Sequence, residues 1–154
     1  MEGIPLPEPL VGEQRDTSAT VTGLHPGINY TCVAVTFTPW QISPPQNITY
    51  STSEIVPTGS PEAFEAVVGQ RQVVFTWSPP PVTQRNGVIT SYTLSCSPSP
   101  SSLPQSPSSQ SGSLTATGFS PNTLHSCSLT ATNSQGSGPP SIRIFITLED
   151  FVFN

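Results

Sequence analysis

Apolar residues recur at every second position in several short runs of this chain. The run "QVVFTWS" places Val73, Phe75 and Trp77 on one face, and a period of two over such a length is typical of a half-buried β-strand. A further strand is expected over residues 63–68. Other runs repeat the grouping, in Tyr92, Leu94 and Cys96, in Leu114 and Ala116, and in His125, Cys127, Leu129 and Ala131.

Turn signals separate these runs, in a chain that has 19 prolines and 11 glycines. Short strands of this kind predict an all-β fold, an antiparallel sandwich of two sheets. No segment combines helical periodicity with capping residues, so we expect essentially no helix. The last run, "SIRIFITL", groups Ile142, Ile144, Ile146 and Leu148 on one face, with Arg143 and Thr147 facing away.

An internal repeat is present at an offset of 95 positions, from Gly23 to Gly118. It aligns "GLHPGINYTC" with "GFSPNTLHSC" and needs no gap from about residue 19 to residue 54. A fixed period of this length predicts a repeated domain of roughly 90 to 95 residues. The same offset brings Cys32 onto Cys127, Pro44 onto Pro139, Tyr50 onto Phe145, Thr52 onto Thr147 and Glu54 onto Glu149.

The stretch "FTWSPPPVTQRNGVITSYTLSC" resembles the signature of the fibronectin type III family. It has a strand B tryptophan, a proline pair, and "NG-x-I-x-x-Y" leading into strand C. "GLHPGINYTC" and "NSQGSGPPS" resemble the E–F turn, strand F and F–G region of that family. An immunoglobulin domain has its tryptophan between two cysteines, whereas here the tryptophan precedes both. The resemblance implies a fibronectin type III (immunoglobulin-like) antiparallel β-sandwich with the core signature Trp77, Tyr92, Tyr30 and Phe119.

The repeat and the resemblance together predict the domain organisation. Residues 1–57 are interpreted as a partial domain with strands E, F and G only, lacking A, B and C. Residues 58–60, within "VPTGSPE", form the linker, 61–148 form a complete domain, and 149–154 are a tail. A fragment that lacks half of its core should not be stable alone, so we expect this part to be either weakly packed or an artefact of where the chain was cut.

The family resemblance also places the cysteines. Cys96 would lie on strand C and Cys127 on strand F, neighbours in one sheet that both face the core, so we expect a disulfide there; two buried free thiols are the alternative. The counterpart of Cys96 in the first copy is position 1, so Cys32 is expected to be unpaired through truncation. A free reactive or interchain thiol is the alternative for Cys32. The strand F tyrosine, Tyr30, is replaced in the second copy by His125.

Composition argues against several functions. The net charge is −5, and the four basic residues are arginines that form no cluster, so we expect neither nucleic-acid binding nor direct membrane contact. His25 and His125 have no ligand at metal-binding spacing, and no G-x-S-x-G elbow is present. We therefore expect no enzyme activity, no metal and no cofactor.

Two sequons, "NYT" at Asn29 and "NIT" at Asn47, mark N-glycosylation sites. The Ser/Pro-rich segment 97–113 predicts a mobile loop, with O-glycosylation or ligand contact as the functional alternative to a tolerated loop expansion. For a protein partner, the B–C and F–G loops are the candidate surface, because they project together in this family. Their candidate residues are Arg85, Asn86, Asn133 and Gln135.

The resulting functional prediction is a non-catalytic, extracellular or cell-surface module. It would act as a spacer or protein-binding unit of an adhesion or receptor protein, next to neighbouring fibronectin type III modules. Two alternatives come from other classes: an intracellular structural array of the muscle type, and an accessory module of a secreted hydrolase. Since fold does not settle function, the ligand and the parent protein stay open.

Overall fold

The computed structural model describes residues 18–103 and 112–150. Within them the chain is all-β, with one four-residue helical turn. The first two strands belong to the first copy of the repeat and the other six to the second. The elements are β1 (Asn29–Ala34), β2 (Gln46–Ser51), β3 (Glu62–Val68), β4 (Gln72–Ser78), α1 (Val82–Arg85), β5 (Ser91–Ser97), β6 (Gly112–Thr117), β7 (Leu124–Asn133) and β8 (Gly136–Ile146).

The second copy forms a sandwich of two antiparallel sheets. One sheet has the strand order β3-β4-β6 and the other β5-β7-β8. The predicted fold class is therefore confirmed, and α1 is the one departure from the expected absence of helix in the described residues. Each strand of the two sheets buries only one of its faces, which explains why apolar residues recur at every second position in the short runs.

The core between the sheets is built from the alternating residues of the predicted strands. Trp77 of β4 lies against Tyr92 of β5, with ring centroids 5.5 Å apart, and Phe119 packs edge-on against His125 at 4.9 Å. All four residues of the expected core signature are buried, three of them in this core and Tyr30 on β1 of the first copy. The other buried apolar residues of this core include Val73, Phe75, Ile89, Leu114, Ala116, Leu129 and Ala131.

The isoleucines of β8 share a face as predicted, but that face is the outer one. Ile144 is 62% exposed, and Ile142 and Ile146 are similar. Thr147, expected to face away, is buried instead, and its hydroxyl donates to the carbonyl of Ser120 at 2.6 Å. The pairing of β8 with β7 sets this orientation: Phe145 stands opposite the buried His125 and so faces the core. Period-two alternation groups residues by face but does not say which face is buried.

Strands β1 and β2 repeat the register of β7 and β8. Asn29 pairs with Ser51, and Leu124 pairs with Ile146, its counterpart at the offset of 95. The E–F turns also match, because Thr52 Oγ1 donates to the carbonyl of His25 at 2.6 Å, as Thr147 does to Ser120. The repeat therefore extends to individual hydrogen bonds.

The first copy departs from the expected E, F and G strands at one point. No strand forms over residues 18–28, where strand E was predicted. In the second copy the equivalent strand β6 is held by β4, which is strand B of that domain. Residues 18–28 have no such partner among the described residues, and a β-strand cannot satisfy its backbone hydrogen bonds alone. Residues 1–17 of the predicted partial domain lie outside the described residues.

Candidate functional site

The two copies meet where residues 54–59 cross the end of the complete domain. There the side chain of Asn133, the last residue of β7, donates to the carbonyl of Ile55 at 2.7 Å. Asn86, which follows α1, donates to the carbonyl of Val56 at 3.0 Å. Both asparagines are buried, at 4% and 6% exposure. Since a buried amide needs its hydrogen bonds satisfied, these contacts hold the connecting segment in one position.

Backbone hydrogen bonds add to this junction. The amide of Ile55 donates to Asn86 at 3.1 Å, and that of Thr58 donates to Gln84 at 2.9 Å. The turn of the first copy approaches the same loop so closely that a Cβ on Gly27 would lie 2.4 Å from the Cα of Gly87. Gly27 also has φ +67°, so glycine is required here for two reasons.

Glu54 supplies the charged contact of the junction. Its carboxylate accepts hydrogen bonds from the Ser134 hydroxyl and from the Val88 amide, the latter at 2.9 Å. These hydrogen bonds, that of Ser134 foremost, lower the pKa of the Glu54 carboxyl. One carboxylate thus ties the end of the first copy to both the B–C and the F–G loops of the second.

All four candidate partner-binding residues lie at this end of the domain, but only two of their side chains are bonded to the connecting segment. The side chains of Asn86 and Asn133 are engaged by the connecting segment. Arg85 is half-buried, with its Nε donating to the carbonyl of Pro80 at 2.7 Å, and Gln135 is exposed. Sequence reasoning missed Glu54 as a member of the site, although its match to Glu149 in the repeat was a signal.

Cys96 and Cys127 are directly opposite each other on β5 and β7. They form a disulfide, with their Cα atoms 4.0 Å apart. Cys32 occupies the position of Cys127 in the first copy but is a free and exposed cysteine. The two copies therefore differ at this position: in the second copy a neighbouring strand supplies a cysteine that forms a disulfide, and in the described part of the first copy no strand does.

The side chains at the equivalent strand F position, Tyr30 and His125, make different hydrogen bonds in the two copies. The hydroxyl of Tyr30 accepts a hydrogen bond from the His25 amide at 2.9 Å, which is the tyrosine-corner contact. In the second copy His125 Nδ1 lies 3.0 Å from the carbonyl oxygen of Pro98. Because a carbonyl oxygen only accepts, Nδ1 carries the proton. His125 is thus a buried structural residue that connects β7 to the end of β5.

The outer faces of the two equivalent strand pairs have opposite chemistry. Asn29 and Asn47, the two sequon asparagines, are exposed on the outer face of β1 and β2. At the offset of 95 their counterparts are Leu124 and Ile142, also exposed. One copy therefore presents sequon asparagines at the positions where the other presents apolar side chains.

Other kinds of site find no support in the described part of the chain. Residues 18–103 and 112–150 contain no group of three or more histidine, cysteine, aspartate or glutamate side chains that could hold a metal ion. No helix in those residues is long and apolar enough to span a bilayer. Residues 104–111, in the middle of the Ser/Pro-rich segment, lie outside the described residues, as do residues 151–154 of the predicted tail.

Comparison with known proteins agrees with the fold. The chain is 32% identical over 133 residues to mouse receptor-type tyrosine-protein phosphatase F, covering 83% of this chain and 7% of that protein. It is 30% identical over 107 residues to human Roundabout homolog 3, covering 66% and 8%. The chain thus spans less than a tenth of the length of these curated relatives.

Among solved structures, domains d3–d4 of the rat CD45 extracellular region superpose with a TM-score of 0.62. The match covers 96% of this chain and 79% of that one at 16% identity, so it supports the fold alone. The family model described as "Fibronectin type III domain" matches residues 59–147, which is more than half of the sequence. The chain belongs to the fibronectin type III domain family.

Proposed function

We propose that this chain is a non-catalytic piece of a tandem fibronectin type III array in the ectodomain of a cell-surface adhesion or receptor protein. The observation that carries the proposal is the junction. The complete domain holds the preceding segment through two buried asparagines, Asn86 and Asn133, and receives the Glu54 carboxylate. A domain whose end is built to fix a preceding unit acts as a spacer of defined orientation.

The extracellular setting is supported by two independent kinds of chemistry. The Cys96–Cys127 disulfide suits an oxidising compartment. The sequon asparagines Asn29 and Asn47 are both exposed, so either position has room for a glycan. The phosphatase relative named above is also, by its name, a receptor-type protein.

Partners of the array are proposed to be proteins. A net charge of −5 disfavours nucleic acid and anionic lipid. Because the junction occupies Asn86 and Asn133, Arg85 and Gln135 are the candidate residues that stay available beside it. The intracellular structural array is the alternative that the following experiment separates. An accessory module of a secreted hydrolase would share the disulfide, and a catalytic domain or a membrane span in the full-length gene product distinguishes it from an adhesion receptor.

The test of the setting is the intact mass of the full chain secreted from a eukaryotic host. We expect glycan mass that an N-glycanase removes, and a loss of one glycan each from Asn29→Gln and Asn47→Gln. Asn122→Gln, outside a sequon, is the matched control and should change nothing. A chain that is retained, unglycosylated and fully alkylated without reductant would support the intracellular array.

The test of the spacer role is amide hydrogen exchange of residues 54–59. Asn133→Ala removes the donor to Ile55 and is expected to speed exchange of this segment by on the order of tenfold, which corresponds to about 1.4 kcal/mol. Gln135→Ala, exposed in the turn that follows Asn133, is the matched control and should leave the exchange rate of residues 54–59 unchanged. Equal exchange in both variants contradicts a fixed junction.

A further inference from the structure

An apolar stripe runs along the outer face of β8 in the complete domain. Single exposed aliphatic residues are common on monomers, but a contiguous apolar patch of about 300–600 Å² often marks an interaction site. The members of this stripe are neighbours and are each more than half exposed, which brings the stripe into that size class. They are Ile142, Ile144, Ile146 and Leu148, with Leu124 of β7 opposite Ile146.

The fold does not require aliphatic residues at these positions. At the offset of 95, the polar residues Thr49 and Ser51 stand where the second copy has Ile144 and Ile146. The strand that carries them, β2, keeps the register of β8. Since polar residues serve at the same outward positions of an equivalent strand pair, folding alone does not account for the stripe.

The rest of this sheet face carries hydroxyl groups and no charge. The outward positions of β5 and β7 hold serine and threonine beside Leu124, and the structure describes all of them. The charged residue of β8, Arg143, turns its side chain to Glu65 of β3. A hydroxyl both donates and accepts hydrogen bonds. A face of hydroxyls and aliphatic groups therefore complements a second face of the same kind, whereas a charged face would repel its own likeness.

The edge of β8 is less suited to association than its face. The strand contains two consecutive prolines, which have no N–H to donate to a neighbouring strand. Farther along, the Ser141 hydroxyl donates to the carbonyl of Pro61, and Arg143 contacts Glu65. Because residues of the other sheet lie across this edge, a partner is expected on the face.

We propose that the apolar stripe is the contact surface for a second molecule of this chain, with the outer faces of the two β5-β7-β8 sheets packed together about a twofold axis. Packed sheets lie about 10 Å apart, and alternate residues lie about 7 Å apart along a strand, so the side chains of the two stripes interdigitate. The twofold axis places Ile144 of one molecule near Ile146 of the other and keeps every stripe contact aliphatic. A bilayer is the less suitable occupant, because the face lacks the basic and aromatic residues that anchor a protein among lipid headgroups.

The size of the stripe predicts a weak dimer. A standard stable interface buries about 800 Å² on each partner, and the stripe supplies less than that, so we expect a dissociation constant on the order of 10–100 µM. Contacts of this strength become effective where many molecules are held together, as on the cell surface proposed above. The contact itself needs only the complete domain, so it does not depend on that proposed function.

The test is sedimentation equilibrium of the full chain, with Cys32 alkylated so that no dimer forms through a disulfide. Ile144→Thr with Ile146→Ser introduces the residues of the first copy and is expected to weaken dimerisation by on the order of tenfold or more. Val67→Thr, at an exposed position of β3 in the other sheet, is the matched control and should leave the dissociation constant unchanged. The urea midpoint of each variant shows that the domain is folded.

An added glycan blocks the face independently of these variants. Leu124→Asn creates the sequon N-H-S at 124–126, and Ser113→Asn creates N-L-T at 113–115, on β6 of the other sheet. Both chains are secreted from a eukaryotic host, and the added glycan is verified by mass. The glycosylated Leu124→Asn chain should be monomeric at concentrations where the glycosylated Ser113→Asn chain still dimerises.

A chain that stays monomeric at about 1 mM would overturn the proposal. So would equal dissociation constants with and without the two isoleucine substitutions, because the dimer would then use another surface, such as the exposed Ile48 and Tyr50 of the first copy. Pelleting with phosphatidylcholine vesicles that the same substitutions abolish would assign the stripe to a bilayer instead. None of these results bears on the glycan masses at Asn29 and Asn47 that test the proposed function.

Discussion

The pair β1–β2 and the pair β7–β8 have the same register and the same turn hydrogen bonds, yet they differ in burial. Phe145 of β8 packs against the core, whereas its counterpart Tyr50 is largely exposed. The difference lies in what surrounds each pair. β7–β8 has β5 beside it and a second sheet opposite, and the described part of the first copy has neither. Hairpin geometry is thus local, while burial depends on distant strands.

The outer faces of the same two pairs differ in chemistry instead of burial. Asn29 and Asn47 stand where Leu124 and Ile142 stand in the second copy, and all four are exposed. Outward positions carry little folding energy, so their identities are free to follow function. The first copy has the two sequon asparagines there, and the second has an apolar stripe along β8.

The largest contrast is expected from core truncation. Phe119→Ala removes a fully buried ring and should lower the free energy of unfolding by about 3–5 kcal/mol. Leu24→Ala, at the matching position of the first copy and only half-buried, should cost less than about 1 kcal/mol. Urea denaturation followed by tryptophan fluorescence measures both. Equal losses would mean that the first copy has a core of its own.

The cysteines give the next contrast. Replacing Cys96 and Cys127 together by alanine opens a loop with a sequence separation of 31, and should cost about 3–4 kcal/mol on the chain-entropy model. Cys32→Ala, at the equivalent position, should leave the unfolding midpoint unchanged, because this cysteine is free and exposed. The measurement is urea denaturation without reductant. A shifted midpoint for Cys32→Ala contradicts the comparison.

A smaller effect is expected from the turn threonines. Thr147→Val removes a hydroxyl that donates to Ser120 and accepts from the Thr123 amide at 3.0 Å, which should cost about 1–3 kcal/mol. Thr52→Val removes the same contacts from the first copy, with no closed core to destabilise. We expect thermal unfolding of the complete domain to shift for Thr147→Val only. A shift of similar size for both variants would show that the copies unfold as one unit.

The smallest effect concerns pH at the junction. Hydrogen bonds in the folded chain lower the pKa of the Glu54 carboxyl. The ionised carboxylate therefore stabilises the junction fully above the ordinary pKa of glutamate, and this stabilisation is lost as the pH falls through the lower pKa of the folded state. Hydrogen exchange of residues 54–59, corrected for intrinsic rates, should therefore accelerate on acidification. Glu54→Gln should remove that pH dependence, and Glu62→Gln is the control. A pH dependence that persists in Glu54→Gln argues for another titrating group.

Local pattern was sufficient to predict most of the fold. Alternation located the strands around Phe75, Leu94 and Leu129, and the repeat aligned Cys32 with Cys127 before any coordinates. The orientation of β8 was not predictable in this way, because Ile142 and Ile144 form as regular a face as Phe145 and Thr147 do. The roles of Asn86 and Asn133 could not be predicted from the sequence either. An asparagine at the end of a domain can bind a separate partner or a neighbouring segment of its own chain, and residue type does not distinguish the two.

The sequence by itself determined the fold class, the repeat, the cysteine pair of the second copy and the positions of the two sequons, because each of these depends on residue type and spacing. Only the tertiary structure decided which face of β8 is inside, which loop amides hold the connecting segment, and that Cys32 lies on an uncovered face. Those outcomes depend on pairing between strands far apart in the chain. A strand's partners decide which of its faces is buried, and the strand's own residues do not specify those partners.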